Sequence, residues 1–216
     1  MTAGKNTQIS LVLSEGFDAR AAEELHDQLR THLNIGEPDY YYTRSIDPPQ
    51  IIQLIGSAAL WLPLGAAATA FLVTFASTAG KRLADDFYDV AKAMLKRKEM
   101  APLATASDAL ARALKQAGPG ASLVIGIDIP DSFWGTALVI NETKAENIAV
   151  ELSRFAVNVA EISRAMNAQM NIGHAPLGRA LITLEDGDVV IRWISQRDMG
   201  RHEVRIPDVS VGVGRR

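Results

Sequence analysis

Apolar positions fall into short alternating runs toward both ends of the chain and into one long uncharged block near its middle. Residues 8–14, QISLVLS, have the aliphatic content of a buried strand, and the turn EGFD follows. Asp18 can then cap a helix over 19–33, where Ala22, Leu25, Leu29 and Leu33 recur at spacings of three and four. YYYTRSI at 40–46 reads as a second strand, which makes 7–46 a small β-α-β unit. Its Tyr40, Tyr41 and Tyr42 either pack on that helix or line a site.

From Pro48 to Gly80 no side chain is charged. Pro63 and Gly65 interrupt this block, because proline removes a helical N–H and glycine adds backbone freedom. The pattern therefore predicts two apolar helices, 51–62 and 66–80, of about 18 and 23 Å, each short of the roughly 30 Å of a bilayer's hydrocarbon. Beyond Gly80 the apolar spacing resumes at Leu83, Phe87, Val90 and Met94 among charges, so the second helix is expected to run on to about residue 98.

Residues 99–121 hold Pro102, a helical stretch from Ser107 to Gln116 and the breaker GPGA, and read as a connector. LVIGIDI at 123–129 and FWGTALVIN at 133–141 form an expected hairpin. Over 144–171, Ile148, Leu152, Phe155, Val159, Ile162 and Met166 make the clearest helix, suited to lying across a sheet or to a coiled-coil seam. RALITLEDGDVVIRWIS then carries Asp186-Gly187 between apolar runs, a strong hairpin signal. A turn at RDMGR leads to HEVRIP, and VSVGVGRR reads as an edge strand or a loose tail.

The expected class is α+β, with segments 1–47 (β-α-β), 48–117 (an Ala/Gly-rich helical pair continuing into a long helix) and 118–216 (a mostly antiparallel sheet with one long packed helix). At 216 residues and 48% hydrophobic, such a chain buries enough apolar surface to fold without staples. The net charge of −3 argues against nucleic acid as partner. With no cysteine, thiol chemistry and disulfides are excluded. The apolar run before Glu15 is too short for a signal-peptide core, so the expected location is the cytoplasm, peripheral to or inserted in the inner membrane if the apolar block engages lipid.

The sharpest motif is DDFYD at 85–89, which has the Asp-Asp-x-x-Asp form that isoprenoid synthases use for magnesium and diphosphate. Asp85 and Asp89 share a helical face there, or else pair with Lys81, Arg82 and Lys92 on a solvated surface. Asp128 and Asp131 in GIDIPDSFWG are turn formers or a metal pair. His26, His32, His174 and His202 show no ligand spacing, and no phosphate loop or nucleophile elbow occurs. Hence no catalytic residue, cofactor or metal is assigned.

Three readings of 51–80 compete: a soluble core, a re-entrant membrane hairpin or kinked membrane span, and a self-association or partner surface. In the third, Ile51, Ile55, Leu60, Trp61, Ala67, Phe71 and Phe75 carry the contact. The order of ISLVLSEGFDARAAEELHDQLR, IIQLIGSAALWLPLGAAATAFLV and KAMLKRK resembles the effector-associated constant component families of bacterial conflict systems. That resemblance implies a small non-enzymatic partner encoded beside effectors such as peptidases or NTPases, and it brings no functional residue with it. The expected function is thus a bacterial accessory protein that associates with itself or an effector. Membrane association through 51–80 and a metal enzyme at Asp85 and Asp89 are the alternatives.

Overall fold

The computed structural model describes residues 7–41, 50–79, 87–129, 135–185 and 187–212. Eight strands form one sheet: β1 (Ser10–Ser14), β2 (Asp39–Tyr41), β3 (Ile51–Gly56), β4 (Ser122–Ile127), β5 (Thr136–Ile140), β6 (Ala180–Glu185), β7 (Asp188–Ile194) and β8 (Arg201–Pro207). Their order is β2-β1-β3-β4-β5-β6-β7-β8. Strands from all three expected segments meet in it, because β3 pairs antiparallel with β1 and parallel with β4. The class is α+β as the pattern predicts, with the β-α-β unit at one end and the antiparallel β6-β7-β8 meander at the other.

The helices α1 (Ala19–Leu29), α2 (Leu62–Ala79), α3 (Phe87–Leu95), α4 (Ala101–Ala117) and α5 (Ala145–Asn171) pack on one another, and α6 (Val209–Gly212) closes against α5. Alternation along the strands explains why they share one face. Leu11, Leu13, Ile52, Leu54, Leu123, Ile125, Leu138, Ile140, Ile182 and Ile191 turn inward and are buried, while Val139, Leu181 and Ile194 stay exposed on the other face. Asp18 starts α1 as expected, its side chain accepting the Ala21 N–H at 2.8 Å. All six heptad positions of α5 are buried, and α5 lies on β5, β7 and β8 as well as on α2 and α4. The sheet-packing alternative for that helix is therefore the one realised within the chain.

The uncharged block departs from its expected form. Residues 51–56 are strand β3, not helix, because Ile52, Leu54 and Gly56 alternate inward against Ile51, Gln53 and Ile55. With apolar residues on both faces, a central strand shows no polar alternation and is easily read as a buried helix. The helical pair is a 3-10 turn, Ala58–Trp61, joined directly to α2. Pro63 lies in the first turn of α2, where its missing N–H has no intrahelical partner to lose. Pro102 does the same for α4, which begins at Ala101 and not at Ser107. The expected continuation of α2 to residue 98 crosses 80–86, outside the described residues, and α3 ends at Leu95. Within the expected tail, Val209–Gly212 form the short α6, and 213–216 lie outside the described residues.

Trp61 anchors this arrangement. It is fully buried, meets Phe155 edge-on at 5.1 Å, and donates its indole N–H to the Gly126 carbonyl at 3.1 Å. Burial of such a ring contributes about 3 kcal/mol.

Candidate metal centre

The turn 195–200 between β7 and β8 is held by its own polar groups. Ser195 donates its N–H to the Gly200 carbonyl and receives the Met199 N–H on its own carbonyl, both at 3.0 Å. Met199 has φ 56°, a left-handed conformation uncommon for a residue other than glycine. Asp198 accepts the Gly200 N–H on Oδ1 at 2.9 Å, which leaves Oδ2 to face His202 Nε2 at 3.0 Å.

A second histidine arrives from the opposite side. After α5 ends, Gly173 turns the chain with φ 85°, and His174 donates its N–H back to the Gln169 carbonyl at 3.0 Å. The bonds that dock this loop onto the hairpin include Trp193 Nε1 to the His174 carbonyl at 3.0 Å, the Gln196 N–H to the Ala175 carbonyl at 2.8 Å, and Arg197 Nη1 to the Ile172 carbonyl at 3.0 Å. His174 Nδ1 comes to 3.9 Å from Asp198 Oδ2. The two imidazoles meet at 4.3 Å between centroids with their planes tilted by 37°, and Trp193 stacks on His202 at 5.5 Å.

One ligand atom from each of His174, Asp198 and His202 lies within 4.8 Å of the others. A tetrahedral ion about 2.1 Å from each donor sets donors roughly 3.4 Å apart, and the two distances from Asp198 Oδ2, 3.0 Å to His202 Nε2 and 3.9 Å to His174 Nδ1, lie on either side of that spacing. The Asp198 carboxyl is held below its ordinary pKa chiefly by the Gly200 N–H, helped by His202, so it is an anion at neutral pH. Imidazole and carboxylate without thiolate suit zinc, nickel, cobalt or iron better than calcium or magnesium.

A hydrolytic triad does not fit the same residues. Ser195 Oγ is 3.4 Å from His174 Nδ1, the nitrogen that also faces Asp198, whereas a triad uses the two ring nitrogens for the two partners. Ser195 is also fully buried and accepts the Arg197 N–H at 3.1 Å.

The residues singled out from sequence lie elsewhere. Trp61, Ala67 and Phe71 are buried in the chain's own core, and Ile51, Ile55, Leu60 and Phe75 are half-buried. Asp85, Asp86, Asp131, Trp134 and Tyr42 lie outside the described residues; Asp89 is exposed in the first turn of α3, and Asp128 donates its N–H to the Gly56 carbonyl at 3.0 Å. His26 is buried in α1 beside Asp27. Spacing along the chain keeps His174 apart from His202; only the docking of the α5 loop brings them together. The D-x-x-x-H of 198–202 was the one local signal. No family model matches the chain, and no curated protein or solved structure is detectably similar to it.

Proposed function

We propose that the protein is a metal-binding protein that holds one first-row transition ion through His174 Nδ1, Asp198 Oδ2 and His202 Nε2. The supporting observation is the convergence of those three donors from two separate segments, with Trp193 bonded to the His174 backbone carbonyl and stacked on the His202 ring. The ion would take the place of the proton shared between His202 and Asp198, and it would clamp the α5 loop to the β7–β8 turn.

Calorimetric titration with Zn²⁺ at pH 7.5 tests this. One site of micromolar or tighter affinity is expected, weakening as the pH is lowered because metal ligands must be deprotonated to bind. His174→Ala and His202→Ala should each weaken it by about tenfold to a hundredfold, and His32→Ala should not. No binding, or binding indifferent to both site variants, overturns the proposal.

A second reading keeps the accessory role and rests on α2. The stretch Ala58–Phe75 is long and apolar enough by length and composition to cross a membrane, although a third of it is buried in the fold. Its outer face leaves Leu62 64% and Val73 41% exposed with no charge nearby on the helix. That face suits an apolar partner or a membrane surface. Flotation with phospholipid vesicles tests it: wild type should float and Leu62→Lys/Val73→Lys should not, whereas equal behaviour of the two removes the membrane form of this reading.

A further inference from the structure

The sheet ends on a full-length strand. β8 pairs with β7 along all of Arg201–Pro207, and among the described residues nothing pairs with its other side. Two bonds fix which backbone groups face outward: the Asp208 N–H donates to the Gly187 carbonyl at 2.9 Å, and the Ser195 N–H to the Gly200 carbonyl at 3.0 Å. Even-numbered residues of β8 thus bond to β7, and Arg201, Glu203, Arg205 and Pro207 turn their backbone groups outward. The same odd-numbered side chains are the exposed ones, on the sheet face that the helices leave uncovered.

Charge alternates across that face. Glu203 accepts from Arg192 Nε on one oxygen at 2.7 Å and from Arg205 Nε on the other at 2.7 Å, and Arg205 Nη1 reaches Glu185 at 3.1 Å. Charged residues and a proline commonly guard an edge against foreign strands. Here, however, the order Arg-x-Glu-x-Arg opposes itself favourably when reversed.

We infer that β8 is a self-association surface, on which a second copy adds its own β8 antiparallel to continue the sheet. The register that overlaps the strand along its full length places Arg201 opposite the second copy's Pro207. That register also sets Glu203 opposite the second copy's Arg205, and Arg205 opposite its Glu203, so the Arg192–Glu203 row carries on into an opposite charge. Shifting by one step in either direction sets Glu203 or Arg205 against itself. The outward N–H groups of Arg201, Glu203 and Arg205 would find the carbonyls of Pro207, Arg205 and Glu203 in the other copy. Pro207 enters only as an acceptor, so its missing N–H breaks nothing within the chain. A two-fold axis through Val204 makes the contact isologous and closed.

The test is sedimentation equilibrium on the full chain in EDTA, which keeps the outcome separate from metal binding. Wild type is expected to be a dimer. Glu203→Arg should raise the dissociation constant by about tenfold or more, and Glu203→Arg/Arg205→Glu, which restores complementarity with the signs exchanged, should bring it back. Arg205→Pro removes an outward N–H without touching the β7 ladder, and it should give a folded monomer by circular dichroism. A monomeric wild type overturns the inference. So does a dimer that ignores these changes, or one that the double exchange fails to restore.

Discussion

Gly126 shows how tightly single positions are specified. A Cβ there would stand 1.9 Å from the Thr136 carbonyl oxygen and 2.9 Å from Ile55 Cδ1, and a backbone oxygen in a central strand pair cannot give way. Gly126→Ala is expected to destabilise by about 3 kcal/mol in urea unfolding, with the Trp61 bond to the Gly126 carbonyl disturbed as well. Asp208 is the other demanding position. Its side chain is fully buried; burial alone would raise its pKa, but bonds from Ser210, Asn158 and Arg154 together outweigh that and hold it below the ordinary range. The contribution of a carboxyl shifted downward is complete above its unfolded pKa of about 4 and is lost as pH falls through the lower folded value. Wild type should therefore lose stability below about pH 4. Asp208→Asn, which strands Arg154, should cost about 3 kcal/mol at pH 7 and show less of that acid loss. Glu151 has the opposite sign: burial raises its pKa, so Glu151→Gln should stabilise the protein at pH 7 and be neutral below pH 4, as denaturation midpoints would show.

Among the elements, α2 has two faces with different consequences. Leu64, Ala67, Ala68 and Phe71 are buried toward α5 and its neighbours, and Gly65 lies 4.0 Å from the Ala156 carbonyl by its ideal Cβ position. Ala67→Glu would place a carboxylate in that contact and is expected to unfold the protein or lower its melting temperature by 10 °C or more. Leu62→Lys on the outer face should leave the melting temperature within about 2 °C. Elements with a period or a turn chemistry of their own were legible in the sequence. The six heptad positions of α5 are all buried, and the register pairs Glu185 with Asp188, with Gly187 before Asp188 at φ 85°. β3 was not legible, since its two apolar faces satisfy both strand and helix patterns, and Pro63 read as a breaker is a first-turn residue.

Across the whole molecule, the expected α+β class holds, and the pattern finds the strands of the meander without showing that they share a sheet with β1 and β3. Which strand lies beside which is decided by long-range pairing, and no local period encodes it. The candidate site was hidden for the same reason. Asp198 and His202 are neighbours along a turn, but His174 reaches them only because Gly173 reverses the chain after α5 and Trp193 receives the loop. The exposed, self-complementary edge of β8 could be read only once β7 had taken its even-numbered bonds. His174, Asp198 and His202 are proposed to hold one ion between them. The most direct test is an anomalous difference map from crystals grown with zinc and recorded at the zinc absorption edge. A single peak about 2.0–2.2 Å from His174 Nδ1, Asp198 Oδ2 and His202 Nε2 is the predicted result. A map with no peak between these residues, or with zinc held only elsewhere on the surface, would contradict it.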